Sequence, residues 1–217
     1  MIFSQMNRVV FPIARVTPDG PSLLGTCFLI SKPGHFATAA HVVKSDDKNL
    51  VIIIPKMLST SDYQDTSNHE VEYFSAKITA IDPFRDVCIL VAEGTISANF
   101  PISGTDVIQT GEDVVAFGFP HADNGRMVLT QQRAEVGGKI LIECNGIKSK
   151  YTVLNILARP GQSGSPIFRL NDLSLVGILL GSYAEICGGG ITLGGVNTHS
   201  INQTTHAISA EYLKEMI

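Results

Sequence analysis

The amino-acid sequence predicts an all-β protein, with antiparallel strands arranged as a sandwich or a barrel. About eleven short segments are rich in the β-branched, aromatic and leucine side chains that favour strands. Turn-forming residues separate many of these segments, namely Pro18-Asp19-Gly20, Lys32-Pro33-Gly34, Ser45-Asp46-Asp47, Gly137-Gly138 and Asn145-Gly146. No strand–helix alternation repeats along the chain, so the pattern does not favour a doubly wound parallel sheet.

The strand segments run along most of the chain. They lie at residues 9–15, 25–30, 51–54, 71–81, 87–92, 114–119, 127–136, 140–143, 151–157, 166–170 and 173–180. Residues 58–69, by contrast, are polar and irregular, which is typical of an exposed loop. A weak boundary near residues 97–106 divides the strands into two groups of about equal size. The sequence therefore predicts two β-subdomains.

One helix is predicted, and it lies at the C-terminus. Ser209 is a candidate N-cap residue, and Glu211 falls in the first turn. Tyr212, Leu213 and Met216 then share one apolar side of this helix.

The charge and the cysteine pattern exclude several function classes. The 217 residues carry 16 Lys and Arg against 20 Asp and Glu, a formal net charge of −4. No segment is strongly basic, which argues against nucleic acid as the main partner. The four cysteines form no C-x-x-C pair, and the histidines outside the segments described below have no metal-ligand spacing. We therefore expect neither a metal ion nor a cofactor.

The apolar runs and the first residues bear on location. The chain does not start with a basic stretch followed by a long apolar one, so no secretory signal is visible. No apolar run is long enough to cross a membrane. These features predict a cytoplasmic protein without a membrane partner.

Three segments are candidates for chemistry. In Ala37-Thr38-Ala39-Ala40-His41-Val42, small residues follow a predicted strand and are followed by a histidine. Asp86 stands directly before the apolar segment at residues 87–92. Ser163 lies in Pro160-Gly161-Gln162-Ser163-Gly164-Ser165-Pro166, flanked by glycines in a tight turn. Taken separately, His41 is more often a structural residue and Asp86 a turn or cap residue.

Together these residue types indicate nucleophilic catalysis. A serine hydroxyl is a poor nucleophile at neutral pH and needs an adjacent base. Histidine suits that role because it titrates near neutral pH, and a carboxylate then holds the imidazole in the required tautomer. Glycines beside the serine let backbone N–H groups turn inward. The N–H groups of Gly161 and Ser163 are therefore candidate donors to a developing oxyanion.

These motifs resemble those of the trypsin/chymotrypsin-fold serine proteases. Thr38-Ala39-Ala40-His41, Asp86 before its apolar strand, and Gly161-Gln162-Ser163-Gly164-Ser165-Pro166 match that family in the order histidine, aspartate, serine. The segment His206-Ala207-Ile208-Ser209, which leads into a helix, is most similar to the bacterial HtrA/Deg-like protease domains. The resemblance covers nearly the whole chain.

The resemblance implies a fold and an activity. The fold would be two six-stranded antiparallel Greek-key barrels, at about residues 1–100 and 101–208, with the C-terminal helix at about 209–217. The catalytic residues would be His41, Asp86 and Ser163, and the N–H groups of Gly161 and Ser163 would form the oxyanion hole. The implied function is a serine endopeptidase that hydrolyses protein or peptide substrates through an acyl-enzyme.

Two positions depart from the secreted members of that family. Gln162 stands before the nucleophile, where those members have an aspartate that pairs with a newly freed N-terminus. We therefore expect no activation by N-terminal cleavage. Val42 stands where they have a disulfide-forming cysteine, which leaves Cys27 without the usual partner and fits a reducing compartment.

The same resemblance indicates where the substrate side chain would bind. The floor of that pocket falls at Leu157, and the strand after the serine contributes Leu179 and Leu180. These apolar residues imply a preference for small or medium aliphatic side chains. An alternative interpretation is that Leu157 is a core residue.

Three further alternatives stay open. Asp82 also precedes the apolar strand, although Asp86 abuts it directly and is preferred. The chain could keep the fold and cleave nothing, as a pseudoprotease that binds proteins. It could also be a conditional protease that a regulatory protein partner switches on, with Gly188–Gly190 in a loop near the substrate cleft.

Overall fold

The computed structural model describes residues 2–68, 70–183, 192–193, 196–197 and 204–217. The glycine run at 188–190, His69 and His199 lie outside the described residues. Strands make up most of the regular structure, and they form two closed antiparallel barrels. The predicted all-β class with two six-stranded barrels is confirmed.

The first barrel contains six strands in the first half of the chain. They are β1 (Val10–Thr17), β2 (Gly20–Leu29), β3 (His35–Ala39), β4 (Leu50–Ile54), β5 (Glu72–Asp82) and β6 (Val87–Ala92). Their order around the barrel is β1-β2-β3-β6-β5-β4, and β4 closes on β1. Buried apolar side chains fill the interior, including Ile13, Leu29, Phe36, Ile52 and Leu90.

The second barrel is built in the same way from the second half. The strands of this half are β7 (Asp113–Gly118), β8 (Thr130–Cys144), β9 (Ile147–Leu154), β10 (Pro166–Arg169), β11 (Leu175–Tyr183), β12 (Thr192–Leu193), β13 (Val196–Asn197) and β14 (Thr204–Ser209). The barrel order is β10-β11-β14-β9-β8-β7, while β12 and β13 pair only with each other. Its interior contains Val114, Val136, Ile167, Val176 and Leu179.

A shared apolar cluster joins the two barrels. Phe28 from β2 and Ile89 from β6 pack in one cluster with residues of the second barrel, among them Phe168 of β10. Phe100, in the connection between the barrels, stacks edge-on against Phe168 with ring centroids 5.1 Å apart. Because these rings are removed from water together, the barrels are held in a fixed relation to each other.

Two details of the strand prediction differ from the structure. The segments 127–136 and 140–143 belong to one strand, β8, because Gly137-Gly138 forms a β-bulge at which the register shifts instead of a turn. β3 and β14 were not predicted as strands, since their alanine, histidine and serine residues have weak strand preference. Asn145-Gly146 does form the predicted hairpin turn, and both residues have positive φ, 50° and 81°.

Helices are short in the described part of the chain. The only α-helix there is α1 (Ala40–Val43), and 3₁₀ segments cover Ile2–Arg8, Thr105–Val107, Ala122–Asn124 and Ala210–Glu215. The last of these is the predicted C-terminal helix. Ser209 does not cap it through its side chain, because its Oγ accepts the N–H of Thr105 at 2.9 Å instead. None of the helices among the described residues has the length and apolar content needed to span a bilayer.

Candidate active site

The end of β3 and the start of β6 bring His41 and Asp86 together. β3 and β6 are antiparallel neighbours, with Ala39 opposite Val87. His41 follows β3 as the second residue of α1, and Asp86 directly precedes β6. The strand register therefore places the two side chains side by side, although 45 residues separate them in sequence.

The carboxylate of Asp86 accepts two hydrogen bonds from His41. The backbone N–H of His41 donates to Oδ1 at 2.7 Å, and the ring Nδ1–H donates to Oδ2 at 2.5 Å. Because a carboxylate only accepts, Nδ1 carries the proton and Nε2 is left as the basic nitrogen. The arrangement gives the imidazole the tautomer that a general base needs.

Ser163 lies in a turn that requires glycine on both sides. Gly161 and Gly164 have φ angles of +88° and +87°, in the left-handed region. A Cβ on Gly161 would lie 2.4 Å from the carbonyl oxygen of Phe119, and one on Gly164 would lie 2.0 Å from that of Thr26. The turn is thus packed directly on the backbone of both barrels.

The serine turn also contacts the segment that carries the histidine. A Cβ built on Gly164 would lie 3.2 Å from the backbone nitrogen of Ala39, just before α1. One built on Gly25 would lie 3.0 Å from the side chain of Val42 and 3.1 Å from the carbonyl oxygen of Ser163. Gly25 is therefore in contact with the residue after His41 and with Ser163 itself.

The backbone around Gly161 is oriented by a hydrogen bond from another loop. The carbonyl oxygen of Pro160 accepts the N–H of His121 at 2.6 Å. In a trans peptide the N–H points opposite to the carbonyl, so the Gly161 N–H is directed away from His121. Within the described residues, neither the Gly161 N–H nor the Ser163 N–H donates to a protein acceptor. Among the described residues, both N–H groups are therefore unused.

Thr26 of β2 connects the first barrel to this turn. Its N–H donates to the Ser163 carbonyl at 3.0 Å, and its Oγ1 donates to the Gly161 carbonyl at 2.9 Å and accepts the N–H of Phe119 at 3.1 Å. The residue is completely buried. A threonine inside a strand carries no local signal of such a role, so the role cannot be predicted from the sequence.

Gln162 is anchored inside the second barrel without any ion pair. Its Oε1 accepts the N–H of Arg159 at 2.7 Å, and its Nε2 donates to Oε1 of Gln132 on β8 at 3.0 Å. Only 2% of the residue is exposed. The neutral amide therefore occupies the position where the resembled secreted enzymes place a charged aspartate.

The Ser163 hydroxyl is turned toward β11. Its Oγ donates to the carbonyl oxygen of Leu180 on β11 at 3.0 Å. Within the described residues this is its one hydrogen bond, so Ser163 and His41 are not hydrogen-bonded to each other. A hydrogen bond to Nε2 of His41 would require the hydroxyl to leave the Leu180 carbonyl for another rotamer.

Two of the three leucines predicted to bind the substrate side chain, Leu157 and Leu179, lie in different surroundings. Leu157 is 47% exposed, and Leu179 is completely buried in the apolar interior of the second barrel. Leu157 is therefore not a core residue. Leu179 meets the serine turn through its backbone, because its carbonyl accepts the Gly164 N–H at 2.7 Å.

Asp82, the alternative to Asp86, has other partners. Its carboxylate accepts the backbone N–H groups of Phe84 and Arg85 and pairs with the Arg85 guanidinium at 2.8 Å. That guanidinium also lies over the ring of Tyr212, 4.2 Å from its centroid. Asp82 thus stabilises the turn before β6 and holds Arg85 against the C-terminal helix.

Metal-ligating side chains are not clustered in the described part of the chain. No group of three or more histidine, cysteine, aspartate or glutamate residues there has a geometry that could hold a metal ion.

Two solved structures share this fold over nearly the whole chain. The MamO protease domain from Magnetospirillum magneticum is 13% identical, with a TM-score of 0.69, and the match covers 98% of this chain and 97% of that one. The Rv3671c protease from M. tuberculosis, in its active form, is 22% identical, with a TM-score of 0.68, covering 97% of this chain and 79% of that one. At such identities the likeness shows the fold.

Sequence similarity extends to bacterial endoproteases. A probable periplasmic serine endoprotease described as DegP-like, from Pseudomonas fulva, is 28% identical over 159 residues. The match covers 71% of this chain but 28% of the relative, so this chain spans under a third of the relative's length.

The predicted cytoplasmic location is wrong, because the DegP-like relatives are described as periplasmic. The prediction depended in part on unpaired cysteines. Cys27 and Cys88 are buried free thiols, and burial raises the pKa of both, that of Cys88 to about 12. Such thiols stay protonated and unreactive at neutral pH, so their free state says nothing about the redox compartment.

The match to a family is broad and includes the candidate residues. A model of the trypsin-like peptidase domain matches residues 25–178, well over half of the chain. The matched span contains His41, Asp86 and Ser163 and reaches from β2 to β11. The fold, the DegP-like relatives and this match agree. The chain belongs to the trypsin-like peptidase family of serine proteases.

Proposed function

We propose that this chain is a serine endopeptidase in which Ser163, His41 and Asp86 form the catalytic triad. The observation that carries the proposal is the pair of hydrogen bonds from His41 to Asp86, together with a serine turn in which the Gly161 and Ser163 N–H groups have no acceptor among the described residues. The pair leaves Nε2 as the base, and the Gly161 and Ser163 N–H groups supply the oxyanion donors. The substrates are proteins or peptides, as befits a peptidase family.

The reaction follows from these positions. Ser163 Oγ leaves the Leu180 carbonyl and attacks the substrate carbonyl carbon, while its proton passes to Nε2 of His41. The carbonyl oxygen takes the negative charge and accepts the N–H groups of Gly161 and Ser163. The C–N bond then breaks as Nε2 returns the proton to the leaving amine, and water hydrolyses the acyl-enzyme by the same route. Asp86 stabilises the imidazolium in both halves.

The proposal includes a turn that is ordered without N-terminal cleavage. In Gln162, the amide oxygen and the amide nitrogen both have partners inside the same barrel, Arg159 N–H and Gln132. Because Gln162 is neutral, it does not need the positive charge of a freed N-terminus as a partner. The DegP-like relatives also favour a periplasmic location for this chain, which buried thiols tolerate.

One observation favours a second candidate, a pseudoprotease that binds proteins without cleaving them. The Ser163 hydroxyl donates to Leu180 rather than to His41, and a permanently fixed bond of this kind would keep the nucleophile from its base. The two candidates differ in whether the Ser163 hydroxyl can leave the Leu180 carbonyl and reach His41.

Labelling with a fluorophosphonate probe separates the candidates. The probe phosphonylates a serine only where its base and its oxyanion donors act together. The proposal expects labelling of the wild-type chain and none of Ser163→Ala, with both proteins folded by circular dichroism. A folded wild-type chain that resists the probe supports the pseudoprotease.

A further inference from the structure

A cavity of about 380 Å³ lies beside the serine turn, on the side of Gln162. Its walls come from the loop after β7, from β8 and from the turn itself. The polar side chains that line it are those of His121, Arg126, Thr130, Gln131, Gln132, Arg159 and Gln162. The described lining contains two arginines, a histidine, a threonine and three amides, and it contains no carboxylate.

Both arginines of this cavity lack an acidic partner. Within the described residues, neither Arg126 nor Arg159 takes part in an ion pair. Four other arginines of the same chain each pair with a carboxylate, namely Arg15, Arg85, Arg133 and Arg169. Both arginines are exposed at the cavity, so in a protein with a net charge of −4 their unpaired guanidinium groups give this cavity a locally positive charge.

The donor set indicates which anion fits. A guanidinium presents parallel N–H groups whose spacing matches a carboxylate, and such paired hydrogen bonds are stronger than neutral ones. Peptides are also the ligands of a peptidase. We propose that this cavity binds a peptide carboxylate and that its occupation stabilises the serine turn in the arrangement that attacks substrate. The second part rests on the proposed function.

The coupling to the turn follows from its anchors. Arg159 donates its N–H to Oε1 of Gln162, and Gln162 directly precedes Ser163. His121, another wall of the cavity, holds the Pro160 carbonyl and so orients the Gly161 N–H. A carboxylate bound between Arg126 and Arg159 would restrain these anchors. The cavity would then act on the oxyanion donors without touching the substrate.

Binding is tested first, in the folded Ser163→Ala protein, by titration calorimetry. The probes are the tetrapeptide Ala-Ala-Ala-Ala with a free C-terminal carboxylate, its C-terminal amide, and acetyl-Ala-Glu-Ala-amide, which has only a side-chain carboxylate. The tetrapeptide with the free carboxylate should bind about tenfold more tightly than its amide, and added salt should weaken binding of the carboxylate form. Binding of the glutamate peptide as well would assign the site to acidic side chains in general, rather than to chain ends.

Matched substitutions locate the binding. Arg126→Gln should weaken binding of the free carboxylate about tenfold, whereas Arg8→Gln, the same charge change at an exposed arginine outside the cavity, should not. Equal affinity for the carboxylate and the amide, or an equal loss of affinity in both variants, would contradict the proposal that this cavity binds the carboxylate.

The rate of fluorophosphonate labelling then tests the coupling. The probe contains no peptide, so any acceleration by added tetrapeptide comes from outside the substrate position. We expect the free carboxylate to speed labelling several-fold, and Arg126→Gln to remove that effect. Carboxylate binding with an unchanged labelling rate would overturn the coupling. Carboxylate binding to a chain that is never labelled would overturn the proposed function while leaving the anion site intact.

Discussion

At the residue scale, Asp86 shows how one residue serves the local fold and, in the proposed mechanism, the chemistry as well. Its backbone adopts φ of 58°, in the left-handed region that aspartate and asparagine tolerate better than most residues. In that conformation its carbonyl accepts the Ala40 N–H at 3.0 Å, and its carboxylate reaches the His41 N–H and ring. Because Ala39 has no capping side chain, Asp86 is the group that starts α1.

Replacing Asp86 therefore tests the orientation of His41. Asp86→Asn keeps the size, the tolerance of positive φ and an acceptor for the His41 N–H, so the chain should fold. Its amide N–H would face Nδ1 and force the proton onto Nε2, and kcat should fall about 10⁴-fold. Peptide hydrolysis by the purified variant measures the effect. Asp82→Asn is the matched control, and a loss of the same size there would favour Asp82 as the catalytic acid.

Thr26 makes a second prediction at this scale. Thr26→Val keeps the shape but leaves the Phe119 N–H and the Gly161 carbonyl without their buried partner. Unfolding in urea should show a loss of about 1–3 kcal/mol. The labelling rate should fall about 10–100-fold because the oxyanion donors lose their support.

Two further variants separate positioning from packing. Thr152→Val removes another buried hydroxyl, which donates to the Gly138 carbonyl at 3.0 Å, and it should cost stability without slowing labelling. Thr26→Ser restores the hydroxyl and should recover the rate. A Thr26→Val protein that is destabilised but labelled at the wild-type rate would show that Thr26 has only a packing role.

At the element scale, turns and apolar strands could be predicted from sequence, and bulges and long-range contacts could not. Asn145-Gly146 specifies its hairpin locally, because both residues accept positive φ. Gly137-Gly138 carries a similar local signal but is a bulge, since the flanking residues of β8 continue to pair with β9. Whether a glycine pair turns the chain or bulges is decided by the neighbouring strand.

The candidate site divides in the same way. His41, Asp86 and Ser163 were recognisable because each stands in a short motif of its own. The roles of Thr26, His121 and the Leu180 carbonyl depend on partners more than 15 residues away, 17 in the case of Leu180 and 135 in the case of Thr26. Long-range contacts of this kind, most of them through backbone groups, cannot be predicted from the residue type, so only the three-dimensional fold reveals them.

Cysteine burial gives a prediction at the scale of the strands. Cys27 on β2 and Cys88 on β6 are buried, and burial raises the pKa of each, whereas Cys144 at the end of β8 is exposed. Iodoacetamide at pH 8 should modify Cys144 and spare Cys27 and Cys88 until denaturant is added. Peptide mass spectrometry measures each site. Rapid modification of Cys27 in the folded protein would contradict the closed first barrel.

At the scale of the whole molecule, carboxylates on the second-barrel side make stability depend on pH. Neighbouring donors lower the pKa of four of them, which are Asp106 beside Lys150, Glu112 beside Arg169, Asp113 beside Arg133, and Asp172 beside Ser174. The folded state therefore favours their charged forms. This contribution is present above their unfolded pKa, about 4, and is lost as the pH falls through the lowered folded values.

Urea unfolding at pH 7, 5 and 3 tests this dependence. The free energy of unfolding should be smaller at pH 3 than at pH 5, and the difference should shrink in high salt because these pairs are largely exposed. Equal stability at pH 3 and pH 5 would show that the four carboxylates contribute nothing net.

The central claim is that Ser163 forms an acyl-enzyme within this two-barrel fold. Pre-steady-state hydrolysis of p-nitrophenyl acetate tests it most directly, with peptide mass spectrometry of the acid-quenched protein. If Ser163 is the nucleophile, we expect a burst of about one equivalent of nitrophenol per chain and an acetyl group on Ser163, and neither in Ser163→Ala. A folded wild-type chain that gives no burst and no acetyl group on Ser163 would contradict it.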